Sequence, residues 1–272
     1  MTFGIVGRSF LLAFFCLFVL FLYGTTLTIV ILSFQGPDGG LTFPMNGVSL
    51  HWFARLFEQQ AVGDFGGSLS RSLLLASMVM AATVVISVSA GLAFRRRFHG
   101  ATALFTLTIA SLIIPSILVS LGVGLVFSLS GLDTDWYSSG FGAQLTWTLP
   151  FGLLIMFAVF NRFNRAWEEA ARDLGASPWQ SFRHVVLPII APSVVGVALF
   201  GFTLSYDEFA RTLLTAGSDN TLPLEIFGMT TNVTTPVLYA LGTVTTGLSF
   251  LVIGISIAAM VLLQRSKVRA LP

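Results

Sequence analysis

Residues 169–188 read EAARDLGASPWQSFRHVVLP, from Glu169 to Pro188. It is a long charged, helix-forming run set between two strongly apolar segments. Its capping residues define two helices. Asn164 is suited to cap a first helix over Asn164–Leu174. Gly175 follows, able to take the left-handed conformation that ends a helix cheaply. Ser177 then caps a second helix, with Pro178 in its first position and Gln180 placed to close a capping box. The stretch is therefore expected to be helix, sharp turn, helix, running through Leu187-Pro188 into the next apolar segment.

The surroundings of this stretch are lipid-like. The chain has 272 residues, 55% hydrophobic and 10% charged, with a mean hydropathy of +0.87. Soluble domains carry about 25% charge, so this chain cannot cover itself with polar surface and needs a bilayer as solvent. The predicted fold class is all-α, a polytopic membrane protein in a single domain. Six uncharged runs are long enough to cross the hydrocarbon core: about 9–34, 73–94, 101–129, 141–160, 187–206 and 238–263. The first begins after Arg8, is too long for a signal-peptide core and lacks a clean cleavage site, so it is expected to be retained.

Charge gives the orientation. With six spans both termini share a side, and 11 of the 14 basic residues fall there, including Arg8, Arg95-Arg96-Arg97, Arg162, Arg165, Arg172, Arg183 and Lys267. The opposite side holds Arg55, Arg71 and Arg211 with nine of the 12 acidic residues. The positive-inside rule makes the first side, and with it loop 164–186, cytoplasmic. On the far side, residues 35–67 carry an amphipathic stretch, Leu50–Phe57, expected to lie at the interface with Trp52 as its aromatic anchor. A short helix is expected around Leu222–Met229.

Several chemistries are excluded. A lone cysteine, Cys16, rules out an internal disulfide or a cysteine-based zinc site. His51, His99 and His184 are too dispersed for a metal centre. Lys267 is the sole lysine and no phosphate-binding glycine loop precedes it, so the chain has no ATPase site of that kind. Two residues stand out on the membrane path: Asp207 and Glu208 directly follow the fifth span, where carboxylates are costly unless they meet water, a partner or a ligand. Ser205 and Tyr206 before them supply a hydroxyl and an aromatic face for ammonium groups. Pro115, Pro150, Pro188 and Pro192 are read as helix kinks.

Glu169-Ala170-Ala171, three residues, Gly175, nine residues, then Val185-x-Leu187-Pro188 resembles the EAA signature of permease subunits in bacterial ABC importers, with Val185 where the usual pattern has Ile. Trp52, Arg95–Arg97, Pro115 and Leu149-Pro150 also sit where such permeases have similar features. Residues 202–209 and 222–227 look like the spermidine/putrescine branch. The resemblance implies the six-span importer fold. It implies that Glu169, Ala170, Ala171, Arg172, Gly175, Ser177, Pro178, Leu187 and Pro188 dock on a separate ATPase. It further implies a path including Trp52, Ser116, Ser205, Tyr206, Asp207 and Glu208. The implied partners are a second homologous permease, two cytoplasmic ATPase subunits, a periplasmic solute-binding protein, the lipid bilayer and a small cationic solute; no nucleic acid is implied. ATP and Mg belong to the ATPase subunits, and this chain takes no cofactor. The implied location is the bacterial inner membrane. One departure concerns cargo: Ser116 follows Pro115 where the polyamine branch often has an acid, which suits an amino-acid-like or aminophosphonate solute. An ion-coupled transporter would need ionisable groups inside the spans, and a scaffold would not need this spacing.

Overall fold

The computed structural model describes residues 5–58, 63–96, 98–232 and 235–269. The described residues are almost wholly helical, with one isolated bridge between Gln35 and Val48. Among the described residues five helices are long and apolar enough to cross a membrane. They are α1 (Ile5–Leu32), α3 (Phe65–Phe94), α6 (Phe141–Arg162, led in by a π turn at Trp136–Gly140), α9 (Leu187–Tyr206) and α11 (Val237–Arg269). Between them lie α2 (His51–Arg55), α4 (Ala101–Ala110), α5 (Ser116–Leu129), α7 (Ala166–Asp173), α8 (Pro178–Ser181) and α10 (Leu222–Asn232).

The third expected span is not one helix but two, α4 and α5, parted at 111–115. Pro115 has φ −54° and ψ 131°, an extended conformation. It has no N–H to give to Ser111, and its ring pushes Ile114 out of the helical region. The break is bound rather than loose. The Ser111 hydroxyl donates to the carbonyls of Thr108 at 2.8 Å and Thr146 at 2.9 Å. A hydropathy window sees only the apolar run and misses the stop. The helix expected at 222–229 is present as α10.

The chain divides into two compact units. One comprises Met1–Phe65 and Ile226–Phe250. Within it, Gln35 is fully buried and acts as a staple. Its amide donates to the carbonyls of Gly40 at 3.1 Å and Thr42 at 3.4 Å, and its Oε1 accepts the Asn46 amide at 2.8 Å. The Tyr239 hydroxyl donates to the Leu41 carbonyl at 2.7 Å. Outside this knot α1 presents Phe10, Phe14, Phe15 and Phe21 outward, as a lipid-bathed helix does.

The other unit comprises Gly66–Glu225 and Leu251–Pro272. Its centre is the contact of α3, α6 and α9, with Val88, Met156, Phe160, Val186, Ile190 and Val197 buried together. Small residues set the spacing there. A Cβ on Gly152 would collide with the Ser87 side chain and with Thr83, so glycine at this position lets α3 and α6 approach closely. The hydroxyls of Thr83 and Thr148 bond across the same contact at 2.8 Å. In lipid such packing and polar ties, each about 0.6 kcal/mol on average, replace the hydrophobic drive between helices.

From Pro178 to Tyr206 the chain is helical without interruption. It passes from α8 through a π turn at Phe182–Val186 into α9. The turn widens just before Pro188, which has no N–H to return to His184.

Candidate functional site

Loop 164–186 folds into the two expected helices, the first starting at Ala166 with Arg165, not Asn164, in the N-cap position. The Asn164 Oδ1 accepts the Ala166 amide at 3.0 Å. Gly175 has φ 84°. Its amide donates to Arg172 O at 2.8 Å, and Ala176 donates to Ala171 O at 3.0 Å. Those are the paired bonds of a Schellman stop, which glycine permits because L side chains resist that φ. The Ser177 hydroxyl then accepts the Gln180 amide at 3.3 Å, while the Gln180 side chain accepts the Ser177 amide at 2.8 Å. Pro178 fills the first helical position.

Most of the residues singled out here lie on the surface. Glu169, Ala170, Arg172, Gly175, Ser177, Pro178, Leu187 and Pro188 are exposed, and Ala171 is half-buried. So are three large apolar side chains that a solvated loop would hide: Leu174 at 90%, Trp179 at 65% and Trp167 at 63%. Ala171, Leu174, Gly175, Ala176, Gln180 and His184 line a cleft of about 420 Å³ beside the turn.

The residue that anchors this projection is Glu168, the neighbour of the expected Glu169. Glu168 accepts from Arg95 at 2.8 Å and from Arg172 at 3.1 Å. Arg95 lies over the rings of Phe163 at 5.1 Å and Phe160 at 5.6 Å, and its carbonyl accepts from Arg165 at 2.6 Å. The end of α3 is thereby tied to α7. Arg96 lines the adjoining cleft of about 590 Å³ with Arg165, Glu169 and Arg172; Arg97 lies outside the described residues. Sequence reasoning used Arg95 only as a charge that sets orientation and passed over Glu168, whose i,i+4 spacing to Arg172 was the available signal.

The second set of residues converges on the turn after α9. Ser205 is buried and bonds to Gln144 Oε1 on α6. Tyr206 is buried too, stacked on Phe202 at 6.0 Å, and its hydroxyl has no partner among the described residues. The two carboxylates are held differently. Asp207 caps the end of α9 and is exposed. Glu208 bends back, and its Oε1 accepts the Arg211 amide at 2.8 Å. Loss of solvent pushes the carboxyls of both Asp207 and Glu208 up from their ordinary values. For Glu208 the Arg211 and Ala210 amides and the Arg211 charge oppose the rise.

Ser116 joins this turn through a residue that sequence reasoning missed. Arg211 is 0% exposed. Its Nε donates to Ser116 Oγ at 3.3 Å, its Nη1 to Thr146 Oγ1, and its guanidinium lies 5.1 Å from the Trp147 ring centre. One turn along α5, Ser120 Oγ accepts the Leu214 amide at 3.0 Å. Burial pushes the Arg211 guanidinium down from its ordinary value, with Glu208 opposing. By charge count Arg211 was one of three basic residues on the far side. The signal was its place in an otherwise uncharged stretch, 209–216, that follows a membrane span.

Trp52 lies in the first unit. It is 8% exposed, and its indole N–H donates to the Gly36 carbonyl at 3.2 Å. It is a buried post of the 35–56 knot and not an interfacial anchor, because its polar edge is satisfied inside. The exposed apolar side chains nearby are Leu50 and Phe57.

Residues 83–270 match the family model of the binding-protein-dependent transport system inner membrane component. The chain is 29% identical over 238 residues to the spermidine/putrescine transport system permease protein PotC of Haemophilus influenzae, covering 87% of this chain and 90% of that one. It is 27% identical over 240 residues to the putrescine transport system permease protein PotI of Escherichia coli, covering 84% and 82%. Among solved structures, a bacterial ABC transporter for the acidic polysaccharide alginate aligns over 100% of both chains at TM-score 0.65 and 14% identity. The MetNI methionine ABC transporter aligns over 72% of this chain and 94% of that one, at TM-score 0.56 and 16% identity. With five long apolar helices and a family match over more than half its length, the chain belongs to the inner membrane components of binding-protein-dependent transport systems, and is a permease subunit of an ABC importer.

Proposed function

We propose that this permease forms half of the translocation path for a small cationic solute and takes its energy from a separate ATPase gripping loop 164–186. The observation that carries the coupling is the loop itself. Two capped helices around Gly175 hold Leu174, Trp167 and Trp179 out in the open beside Glu169 and Ala170. Exposed aromatic anchors on a rigid, polar base are what a protein partner buries. Loop and termini face the cytoplasm, where ATP is. A second, homologous permease completes the path, two ATPase subunits hydrolyse ATP with Mg, and a periplasmic binding protein delivers the solute. Closure of the ATPase pair draws the loops together and rocks the spans between inward-open and outward-open states.

For the cargo, polyamines are the first class, supported by the spermidine and putrescine named for the related permeases and by the free carboxylate of Asp207. An amino-acid-like or aminophosphonate solute is the second, favoured by Ser116, whose hydroxyl answers a guanidinium rather than an ammonium group. The test of coupling is Gly175→Val. In cells carrying the complete importer it should cut uptake at least ten-fold while the permease still reaches the membrane. Unchanged uptake would sink the coupling role.

A further inference from the structure

Among the described residues Arg211 is the largest side chain wholly removed from solvent. A buried cation is tolerated when its charge is paired and its donors are satisfied. Arg211 meets both only in part: Glu208 acts on its charge without forming an ion pair, and one of its donors is left over. Among the described residues it forms no ion pair. Its partners are two neutral hydroxyls, Ser116 and Thr146, and the face of Trp147. Glu208, the nearest acid in sequence, spends its Oε1 on the Arg211 backbone. Nη2 is buried and has no acceptor among the described residues. A guanidinium donor left empty in this way lacks an anionic oxygen, and its planar fork suits the two oxygens of a carboxylate or the oxygens of a phosphonate. Four residues back, Asp207 is exposed, its amide donates to Thr203 O at 3.2 Å, and its carboxylate has no hydrogen bond or ion pair among the described residues. One short turn therefore offers an unfilled cation and an unfilled anion.

We propose that Arg211, framed by Ser116, Thr146 and Trp147, is an anion subsite on the translocation path. The solute is then dipolar: Arg211 takes its carboxylate or phosphonate group and Asp207 its ammonium group. This rests on the importer reading above and selects the second of its two cargo classes, small ω-amino acids or aminophosphonates, over polyamines. A diamine would bring a second positive charge against Arg211 and leave Nη2 empty. The guanidinium is closed to solvent here, so the anion enters when α5, α6 and the 207–216 turn separate during the transport cycle.

The experiment uses the complete importer in proteoliposomes, with its binding protein, and compares ATP-driven uptake of putrescine, 4-aminobutyrate and 2-aminoethylphosphonate. At least one dipolar probe should enter ten-fold faster than putrescine. Arg211→Met should cut that uptake at least ten-fold, and Arg211→Lys should restore part of it. Ser116→Asp supplies a second arm in which Arg211 remains. The new carboxylate pairs with the guanidinium, so the ratio of dipolar uptake to putrescine uptake falls at least ten-fold. Putrescine preferred over both dipolar probes, no uptake of either dipolar probe, or equal loss of all three solutes in Ser116→Asp overturns the subsite. Uptake of any probe that proceeds undiminished without ATP would instead overturn the importer reading, which separates the two failures.

Discussion

At the scale of single residues, Glu168 and Asp207 carry different risks. Glu168 serves two arginines at once, with side chains only partly open to water. Replacing it by Gln keeps the shape and removes the charge. Thermal unfolding of the purified permease should show a loss of about 1 kcal/mol, the scale of a partly screened pair. Asp207→Asn should weaken uptake of an amine-bearing solute several-fold and leave insertion intact. The pH dependence has a definite sign. Burial raises the carboxyl of Asp207 above its ordinary 3.8 and that of Glu208 above 4.5. As each folded value exceeds the unfolded one, these groups favour the fold at low pH, and that benefit fades as pH rises through the raised values. Uptake runs the other way. An ammonium group needs the Asp207 carboxylate, so transport falls on acidification at a pH above the ordinary aspartate midpoint, and Asp207→Asn should flatten that limb of the pH profile.

At the scale of elements, the two-helix loop was legible because everything that shapes it is local. Asn164, Gly175, Ser177 and Gln180 act within a few residues of themselves, and each lies where its chemistry requires. Ser177→Ala should remove one half of the capping box at about 1 kcal/mol, seen as a lower unfolding temperature and earlier proteolysis near Gly175. The break between α4 and α5 was harder to see. Pro115 was visible, but a proline inside an apolar run can kink a helix or end it, and tertiary ties such as Ser111 to Thr146 decide which. The turn after α9 was least legible. Adjacent acids suggest a pair, yet the backbone sends Glu208 back to an amide and leaves Asp207 alone. Arg211 acquires its importance only from Ser116 and Thr146, which lie 95 and 65 residues away in sequence.

At the scale of the whole molecule, the low charge content translates into a surface made for hydrocarbon. Along α1 the phenylalanines and leucines stay exposed on most sides, with Cys16 among them. In a bilayer that cysteine is dry. It should resist maleimides in intact membranes, where its thiol stays protonated, and react once detergent and denaturant bring it into water; fast labelling by a charged maleimide in intact membranes would mean that α1 is not a span.

The unbroken helix from Pro178 to Tyr206 has a mechanical consequence. Its 29 residues at about 1.5 Å each give a rod of roughly 43 Å. One end is clamped by the Ser177 cap in the loop, and the other delivers Ser205 and Asp207. A tilt of about 5° applied at the first end sweeps the second through roughly 4 Å over that length, more than the reach of a hydrogen bond. Torque at the loop would therefore make or break contact with a solute without any side chain between them having to change its rotamer.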